Sequence, residues 1–230
     1  MAEPLSCTND ILTICASRLG QPIGQPGSLI TTTEILNWTN YGYYLTVKLL
    51  ALLTKTLQIT STGDYTYTLL ARATDIIGID YVTLNEKGPD LNGRDMKYIL
   101  RTYKTSWKES GAPVDFVIDD KLFTNIIFVP HSDTTSDIYY VRYVYRPAYH
   151  SDLTTTFTIP YEYIMPILEW TWWNVAIKAK RAAEIALLAK GLIAPNFLNA
   201  IELAKMGGHL SNQIDKQIIA PQIKYDVYDI

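Results

Sequence analysis

The chain has 230 residues, of which 48% are hydrophobic and 19% are charged, and its formal net charge is −3. This composition is typical of a folded globular protein and excludes a largely disordered one. The slightly negative charge also excludes a protein that is basic over its whole surface, as general nucleic-acid binders are. The 17 tyrosines and 5 tryptophans suit a core, and their apolar rings with polar tips also suit subunit interfaces.

The chain is poor in residues that bind metals or form disulfides. We interpret Cys7 and Cys15, both in one predicted helix, as buried side chains of a protein from a reducing compartment. The three histidines are scattered along the sequence, so no metal site and no cofactor are predicted. The start of the chain lacks the features of a signal peptide. The longest apolar stretch, residues 41–53, is too short to span a bilayer.

Residues 6–19 are predicted to form a first helix, with an apolar stripe at helical spacing. Ser6 or Thr8 is expected to cap it, and Gly20 ends it. The segment 21–28 contains two prolines and two glycines and is predicted to be a loop.

A second helix is predicted from about residue 32 to 56. Thr31 and Glu34 have the spacing of a capping box, in which each side chain binds the other residue's backbone N–H. Apolar or small residues then recur every three to four positions, at Ile35, Trp38, Gly42, Leu45, Leu49 and Leu52.

The composition changes at residue 61, after which the chain is rich in Tyr, Val, Ile and Thr. Five strands are predicted, at residues 65–73, 77–84, 115–118, 125–129 and 138–145. Residues 91–93 are predicted to form a turn, and 95–108 one short helix. The last strand alternates and is expected to place Tyr139, Val141, Tyr143 and Tyr145 on one face.

A long helix is predicted from about Pro160 to Gly191, with Pro166 in its first turns or at a slight kink. Its first half is aromatic, with Tyr161, Tyr163, Trp170, Trp172 and Trp173. Its second half is rich in alanine, which predicts the close approach of a neighbouring helix. A fourth helix is predicted to begin at Pro195 and to stop at Gly207 and Gly208.

The segment from His209 to Ile230 has no helical period, and its end alternates partly between apolar and polar residues. Such a segment can pair with the sheet edge of another chain. The alternative is a frayed terminus.

No catalytic or nucleotide-binding motif is present, and no residue is predicted to be catalytic. Asp119 and Asp120 are adjacent carboxylates in a predicted turn, and we interpret them as solvated. Two basic groups are also interpreted as solvated helix faces, with contact to DNA or to an acidic partner as the alternative. The first group is Lys178, Lys180 and Arg181, and the second is Arg94, Lys97, Arg101, Lys104 and Lys108.

The order of elements, with helices flanking a β-rich middle, resembles the head-to-tail adaptor family of tailed phages, of the tail-tubular-protein-A-like podovirus type. Four stretches between residues 8 and 206 carry the resemblance by their order and spacing. They are residues 10–20, which end in Leu-Gly; Trp107, Gly111 and Pro113 with the strands that follow to Pro130; residues 141–147, which end in Tyr-Arg-Pro; and residues 158–163, which start the long helix.

The resemblance implies an α+β fold in which an antiparallel four-helix bundle (residues 1–60 and 150–206) carries an inserted antiparallel β-domain (61–149) and an extended C-terminal arm (207–230). It implies a non-enzymatic ring, of twelve subunits in this family, in the neck of a virion assembled in the host cytoplasm. The implied partners are the portal protein, a tail or nozzle protein and the genomic DNA, which passes through the ring without sequence-specific binding. No membrane partner is implied. The arm residues expected to contact the portal or a neighbouring subunit are Ile218, Ile219, Ile223, Tyr225, Val227, Tyr228 and Ile230.

Three other functions stay open at this point. Another virion tail or baseplate protein would share the same mixture of helices and strands. A cell-wall hydrolase would need a cleft with facing carboxylates. A membrane-surface protein would use the aromatic helix.

Overall fold

The computed structural model of the protein describes residues 5–119 and 123–207. The chain divides into two compact units. The helical unit contains the described residues up to Leu52 and those from Pro147 onward, and the β unit is Leu53–Arg146. The fold is therefore α+β, with the strands inserted between two helical parts of the chain.

Six α-helices lie within the described residues. They are α1 (Thr8–Leu19), α2 (Thr32–Leu50), α3 (Met96–Thr102), α4 (Ile164–Lys178), α5 (Ala182–Ala189) and α6 (Pro195–Gly207). Short 3-10 turns occur at Ser106–Lys108 and Tyr161–Tyr163. None of the helices in the described parts of the chain is long and apolar enough to cross a bilayer.

The start of α1 differs from the prediction. The Asp10 carboxylate accepts hydrogen bonds from the backbone N–H groups of Ser6 and Cys7, at 2.7 and 3.0 Å. The residue that caps α1 is therefore Cys7. The predicted cap at Ser6 or Thr8 is wrong because an acidic side chain inside the first turn supplies the acceptor. The helix ends as predicted at Gly20, whose φ of 71° suits a glycine.

The predicted capping box of α2 is confirmed. The Thr31 hydroxyl accepts from the Glu34 N–H at 3.3 Å, and the Glu34 carboxylate accepts from the Thr31 N–H at 3.0 Å. The predicted end near residue 56 is wrong. The helix stops at Leu50, Ala51 adopts a left-handed conformation with φ 50°, and Thr54–Thr60 form a strand. The alternating threonines of this segment favour a strand over a helix.

The predicted long C-terminal helix is broken into α4 and α5. Lys180 lies between them with φ 53°, which no α-helical residue adopts. The N–H of Arg181 donates to the carbonyl of Ala176 at 3.0 Å and holds this turn. Pro166 lies in the first turn of α4, where its missing N–H is not needed. The predicted fourth helix is confirmed as α6.

In the helical unit, α2 and α4 pack against each other in antiparallel directions. Near the start of α2, Glu34 binds Lys178 at the end of α4. Further along α2, a Cβ on Gly42 would lie 2.9 Å from the Trp170 ring in the first half of α4. The partner positions thus run backwards along α4, and a glycine lets the two helices approach closely.

The β unit has three layers. Its strands are β1 (Thr54–Thr60), β2 (Thr66–Thr68), β3 (Ile76–Leu84), β4 (Asn92–Arg94), β5 (Asp115–Ile118), β6 (Asn125–Val129) and β7 (Ile138–Tyr145). They form one sheet in the order β1-β7-β3 and another in the order β2-β6-β5-β4. Alternate residues of β5 and β6 face opposite ways, so that Phe116 and Phe128 pack against the first sheet, whereas Val117 and Ile127 pack against α3.

The strand predictions are confirmed for β5, β6 and β7, whose bounds match, while β2 is shorter than expected. Tyr139, Val141 and Tyr143 share the buried face of β7 as predicted. The predicted turn at 91–93 is wrong, since β4 pairs there with β5. This pairing is parallel, so the unit is not purely antiparallel. The predicted helix 95–108 is reduced to α3 and a 3-10 turn.

Candidate functional site

Helix α5 is built from alanine, isoleucine and leucine, with Glu184 as its one charged residue. None of its residues is buried, and Ile185 and Leu188 are each 41% exposed. These two side chains lie three positions apart and therefore face the same way. An isolated helix of eight residues is unstable in water. Its exposed apolar side would be stabilised by a partner that removes it from water.

The exposed apolar character continues beyond α5. Leu192, in the loop before α6, is 49% exposed, and Leu198 and Leu203 on α6 are 40% and 64% exposed. The exposed side chains Ile185, Leu188, Leu192, Leu198 and Leu203 are together called the apolar surface below. Leu198 and Leu203 lie five positions apart on α6 and project about 140° from each other. Single exposed leucines are ordinary, whereas several within one short segment mark an interaction site.

The other side of these helices is anchored in a core. Phe197 and Ile201 of α6 are each 3% exposed and pack with Trp170 and Trp173 of α4, and Leu187 of α5 joins the same cluster. The inward side chains thus fix α6 and α5 on α4. Covering the five outward side chains would contribute roughly 5 kcal/mol, taking about half of the 1.5–3 kcal/mol for complete burial of each.

The turn between α4 and α5 is held by arginines stacked on Trp172. The guanidinium carbons of Arg18 and Arg181 lie 5.7 and 5.4 Å from the Trp172 ring. Arg18 also forms an ion pair with Glu169 at 2.8 Å, and Arg181 donates to the carbonyl of Arg18 at 3.2 Å. These contacts join the end of α1 to the start of α5 and fix the direction in which α5 leaves the core.

The structure separates the predicted basic group at 178–181. Lys178 forms an ion pair with Glu34, and Arg181 is engaged with Trp172 and Arg18. The hydrogen bond from Lys178 is the main reason why the pKa of Glu34 is lowered. Lys180 is exposed in the turn. Two of the three cations therefore stabilise the helical unit, so that the group is not one solvated face.

The tryptophans of α4 are not available as an interface. Trp170, Trp172 and Trp173 are 7%, 9% and 8% exposed, so they belong to the core of the chain. Of the two uses that the aromatic composition suits, core and subunit interface, these three tryptophans serve the core, because close packing of α1, α2 and α6 against α4 covers them. Tyr161, by contrast, is 57% exposed.

The second predicted basic group keeps most of its charge on the surface. Arg94 forms an ion pair with the buried Asp115 at 3.5 Å. Lys97, Arg101 and Lys104 are exposed on and just after α3, and no ion pair joins them to a carboxylate of the described residues. Lys108 lies 4.9 Å from the centre of the Trp107 ring.

One small cavity of the helical unit lies beside α5. A cavity of about 40 Å³ lies between Trp172, Glu184 and Pro195, which is space for one or two water molecules. Within residues 5–119 and 123–207, no three histidine, cysteine or acidic side chains lie close enough to hold a metal ion. Asp119 is described, and its N–H donates to the carbonyl of Asn125 at 3.2 Å. Asp120 lies outside the described residues.

Cys15 and His150 are buried titratable groups of the helical unit. Burial raises the pKa of the Cys15 thiol to about 12, which keeps it protonated and unreactive. Burial lowers the pKa of His150, whose backbone is held by the Asn40 amide through bonds of 3.0 and 2.8 Å. Both groups serve packing in the interior of the unit.

The predicted contact residues of the C-terminal arm lie outside the described residues. They are Ile218, Ile219, Ile223, Tyr225, Val227, Tyr228 and Ile230. The apolar surface on α5 and α6 was not identified from the sequence, although the signal was visible in the alanine- and leucine-rich run. The alanines of that run predict a closely packed neighbouring helix, whereas no residue of α5 is buried.

No protein-family model matches the chain, and no curated protein matches it.

Proposed function

We propose that the chain is a structural subunit that assembles with copies of itself through the apolar surface of α5 and α6. The observation that carries this proposal is a helix of alanine, isoleucine and leucine with no buried residue. A neighbouring copy would remove Ile185, Leu188 and Leu192 from water, which the subunit alone does not do. A second copy is the favoured partner, because every copy carries this apolar surface and each therefore gains by covering it.

The helical unit also exposes other apolar side chains. Leu29, Tyr149, Tyr161 and Met165 are 54%, 65%, 57% and 41% exposed. Exposed apolar side chains at separate places on one subunit suit a head-to-tail contact, in which one surface of a copy meets a different surface of the next. Such contacts close into rings when the rotation between copies allows it.

The resemblance to head-to-tail adaptors of tailed phages gives this ring a place. We propose that the bundle of α1, α2, α4 and α6 forms the body of a ring beneath the portal in the virion neck. In this arrangement residues 207–230 extend as an arm to the portal or a neighbouring copy, and the β unit contacts the tail or nozzle protein. Support comes from the order of elements, in which helices flank an inserted β unit.

The ring size of twelve is the value implied by the resemblance. The DNA channel would run along the ring axis, and a subunit with a net charge of −3 would let most of the DNA pass without strong binding. Assembly would take place in the host cytoplasm, with no cofactor and no catalytic step.

The test compares the masses of the wild-type chain and a variant by light scattering after size-exclusion chromatography. Leu188→Glu with Leu198→Glu places two charges on the apolar surface and should convert oligomers into monomers. Leu100→Glu is the matched control, since Leu100 is a 50% exposed leucine on α3, outside this surface. Identical masses for the wild type and the double variant would contradict the proposal, as would a wild type that stays monomeric at every concentration.

Deletion of residues 208–230 tests whether the apolar surface is covered by a second copy or by the chain's own C-terminal arm. If copies bind each other through α5 and α6, the truncated chain still assembles and remains sensitive to Leu188→Glu. If the apolar surface instead holds the arm of the same chain, the truncation increases binding of a hydrophobic dye and the mass of the full chain is that of a monomer.

A further inference from the structure

The outer side of α3 and the residues just after it carry cations that the proposed ring contact does not use. The helix begins after Asp95, whose carboxylate accepts from the Tyr98 N–H at 2.6 Å. Ile99, which is fully buried, packs against the sheet residues Val117 and Ile127. Since one side of α3 is fixed to the sheet, its other side is held towards solvent.

Lys97, Arg101 and Lys104 form what is called here the basic surface. All three are exposed, and no described carboxylate pairs with them. In the same unit, other cations are neutralised, as by the pairing of Lys55 with Asp75 at 2.9 Å. Residues 94–108 contain five basic side chains and one acidic side chain, Asp95, which is engaged at the start of the helix.

Aromatic rings accompany the cations. The Arg94 guanidinium lies 4.8 Å from the centre of the Tyr98 ring, and Tyr98 is 40% exposed. The Lys108 ammonium lies over Trp107 and Tyr65, at 4.9 and 5.4 Å. Arg94 is already paired with the buried Asp115 at 3.5 Å, so the positive charge that these two residues add to the region comes from Lys108.

We infer that the basic surface of α3 binds the phosphate backbone of nucleic acid without regard to base sequence. Lys97 and Arg101 lie one helical turn apart, about 6 Å along the axis. A row of cations at this spacing can face successive phosphates, and release of counterions from the nucleic acid drives such binding. The overall charge of −3 does not prevent this, because screening limits each charge to a range of about 10 Å.

An acidic protein is the less suitable partner. Protein interfaces are depleted in lysine and rely on apolar anchors at their centre. The basic surface consists of two lysines and an arginine, and its large exposed neighbours on α3 are Tyr98 and Leu100. Phosphates need only the cations that are present. The inference does not depend on ring assembly, since α3 and its supporting sheet lie within one compact unit.

The test measures binding of the full chain to a fluorescent duplex of roughly 30 base pairs by anisotropy, at about 50 and about 200 mM salt. Three phosphate contacts predict an affinity that falls about 40-fold over this range. Replacement of the three residues by glutamine (K97Q/R101Q/K104Q) should weaken binding at least tenfold at the lower salt. It should also reduce the slope of log affinity against log salt by about 3, one for each contact.

The matched control is R72Q/K87Q/K190Q, which removes the same charge from exposed residues that are not part of α3. Its affinity should stay within about twofold of the wild type, and duplexes of different base composition should bind equally. Absence of salt-dependent binding, an equal loss in the control, or stronger binding of polyglutamate than of DNA would each overturn the inference. Light scattering gives the mass of the same variants. A variant that loses DNA binding but keeps the wild-type mass has not lost self-assembly.

Discussion

Gly42 of α2 lies directly against the Trp170 indole of α4, and a Cβ at this glycine would lie 2.9 Å from Cδ1 and 3.2 Å from Cβ of the tryptophan. The two residues come from opposite ends of the chain, on either side of the inserted β unit. Their contact shows that the two helical segments share one core. It also explains why a glycine is present in the middle of a helix, where it otherwise costs about 1 kcal/mol.

The contact predicts that Gly42→Ala destabilises the protein although alanine is the better helix former. The added methyl group forces Trp170 to shift, at a typical cost of about 1–3 kcal/mol for an overpacked core. Urea unfolding followed by tryptophan fluorescence measures the effect. The double variant G42A/W170L relieves the clash, so its loss should be smaller than the sum of the two single losses. Additive losses would contradict the proposed contact.

The ion pair between Lys178 and Glu34 predicts a pH dependence of stability. The hydrogen bond from Lys178 lowers the pKa of Glu34 below its ordinary value of 4.5 in the folded protein. A group whose pKa is lowered by folding stabilises the folded state above its unfolded pKa, and this contribution disappears as pH falls through the folded pKa. Lys178→Met should therefore cost about 0.5 kcal/mol near neutral pH, since both side chains are about one-third exposed.

Thermal unfolding of the wild type and Lys178→Met between neutral pH and pH 3 measures this difference. The two curves should converge on the acidic side of pH 4.5. Lys190→Met, an exposed lysine in the turn after α5, should follow the wild type throughout. A constant difference between wild type and Lys178→Met down to the lowest pH would show that Glu34 does not sense Lys178.

In the helical unit, the sequence predicts those helix ends that local hydrogen bonds specify, and it does not predict those that depend on distant residues. The capping box at Thr31 and the glycine at Gly20 specify helix ends through bonds within a few residues, and both were found from the sequence. The break at Lys180 depends on Arg181 reaching Trp172 and the carbonyl of Arg18. Such long-range contacts leave no local signal in a run of alanines.

The same distinction holds in the β unit. Strand β7 alternates along its own sequence and was predicted with its bounds. Strand β4 carries Asn92-Gly93, a turn signal, and forms a strand because β5 lies beside it and Arg94 reaches Asp115. The basic row on α3 was visible in the sequence. The sequence does not show that these cations have no carboxylate partner among the described residues, because this depends on which acidic side chains the fold brings near them.

The hydrogen bond of Tyr103 is expected to stabilise the packing of α3 on its sheet. Its hydroxyl donates to the buried Asp115 carboxylate at 2.7 Å, and burial, followed by this hydrogen bond, raises the pKa of Tyr103 to about 12. Tyr103→Phe leaves Asp115 with Arg94 as its ion-pair partner and should cost about 1–3 kcal/mol. Urea unfolding measures the loss. Tyr98→Phe, on the exposed side of α3, serves as the control, and equal effects of the two substitutions would contradict the role of the hydrogen bond.

The two cysteines predict a selective chemical modification. Cys15 is fully buried with its pKa raised to about 12, whereas Cys7 is partly exposed. Iodoacetamide should therefore alkylate Cys7 in the native protein and reach Cys15 only after unfolding in urea. Peptide mass spectrometry distinguishes the two sites. Alkylation of both at the same rate in the native protein would contradict the packing of α1 against α2 and α4.

Electron microscopy of the purified wild-type protein tests the proposed assembly most directly. The proposal predicts closed rings of one symmetry, with α5 and α6 of each copy at the contact with its neighbour. Single subunits, or rings in which Ile185, Leu188 and Leu203 face solvent, would contradict it.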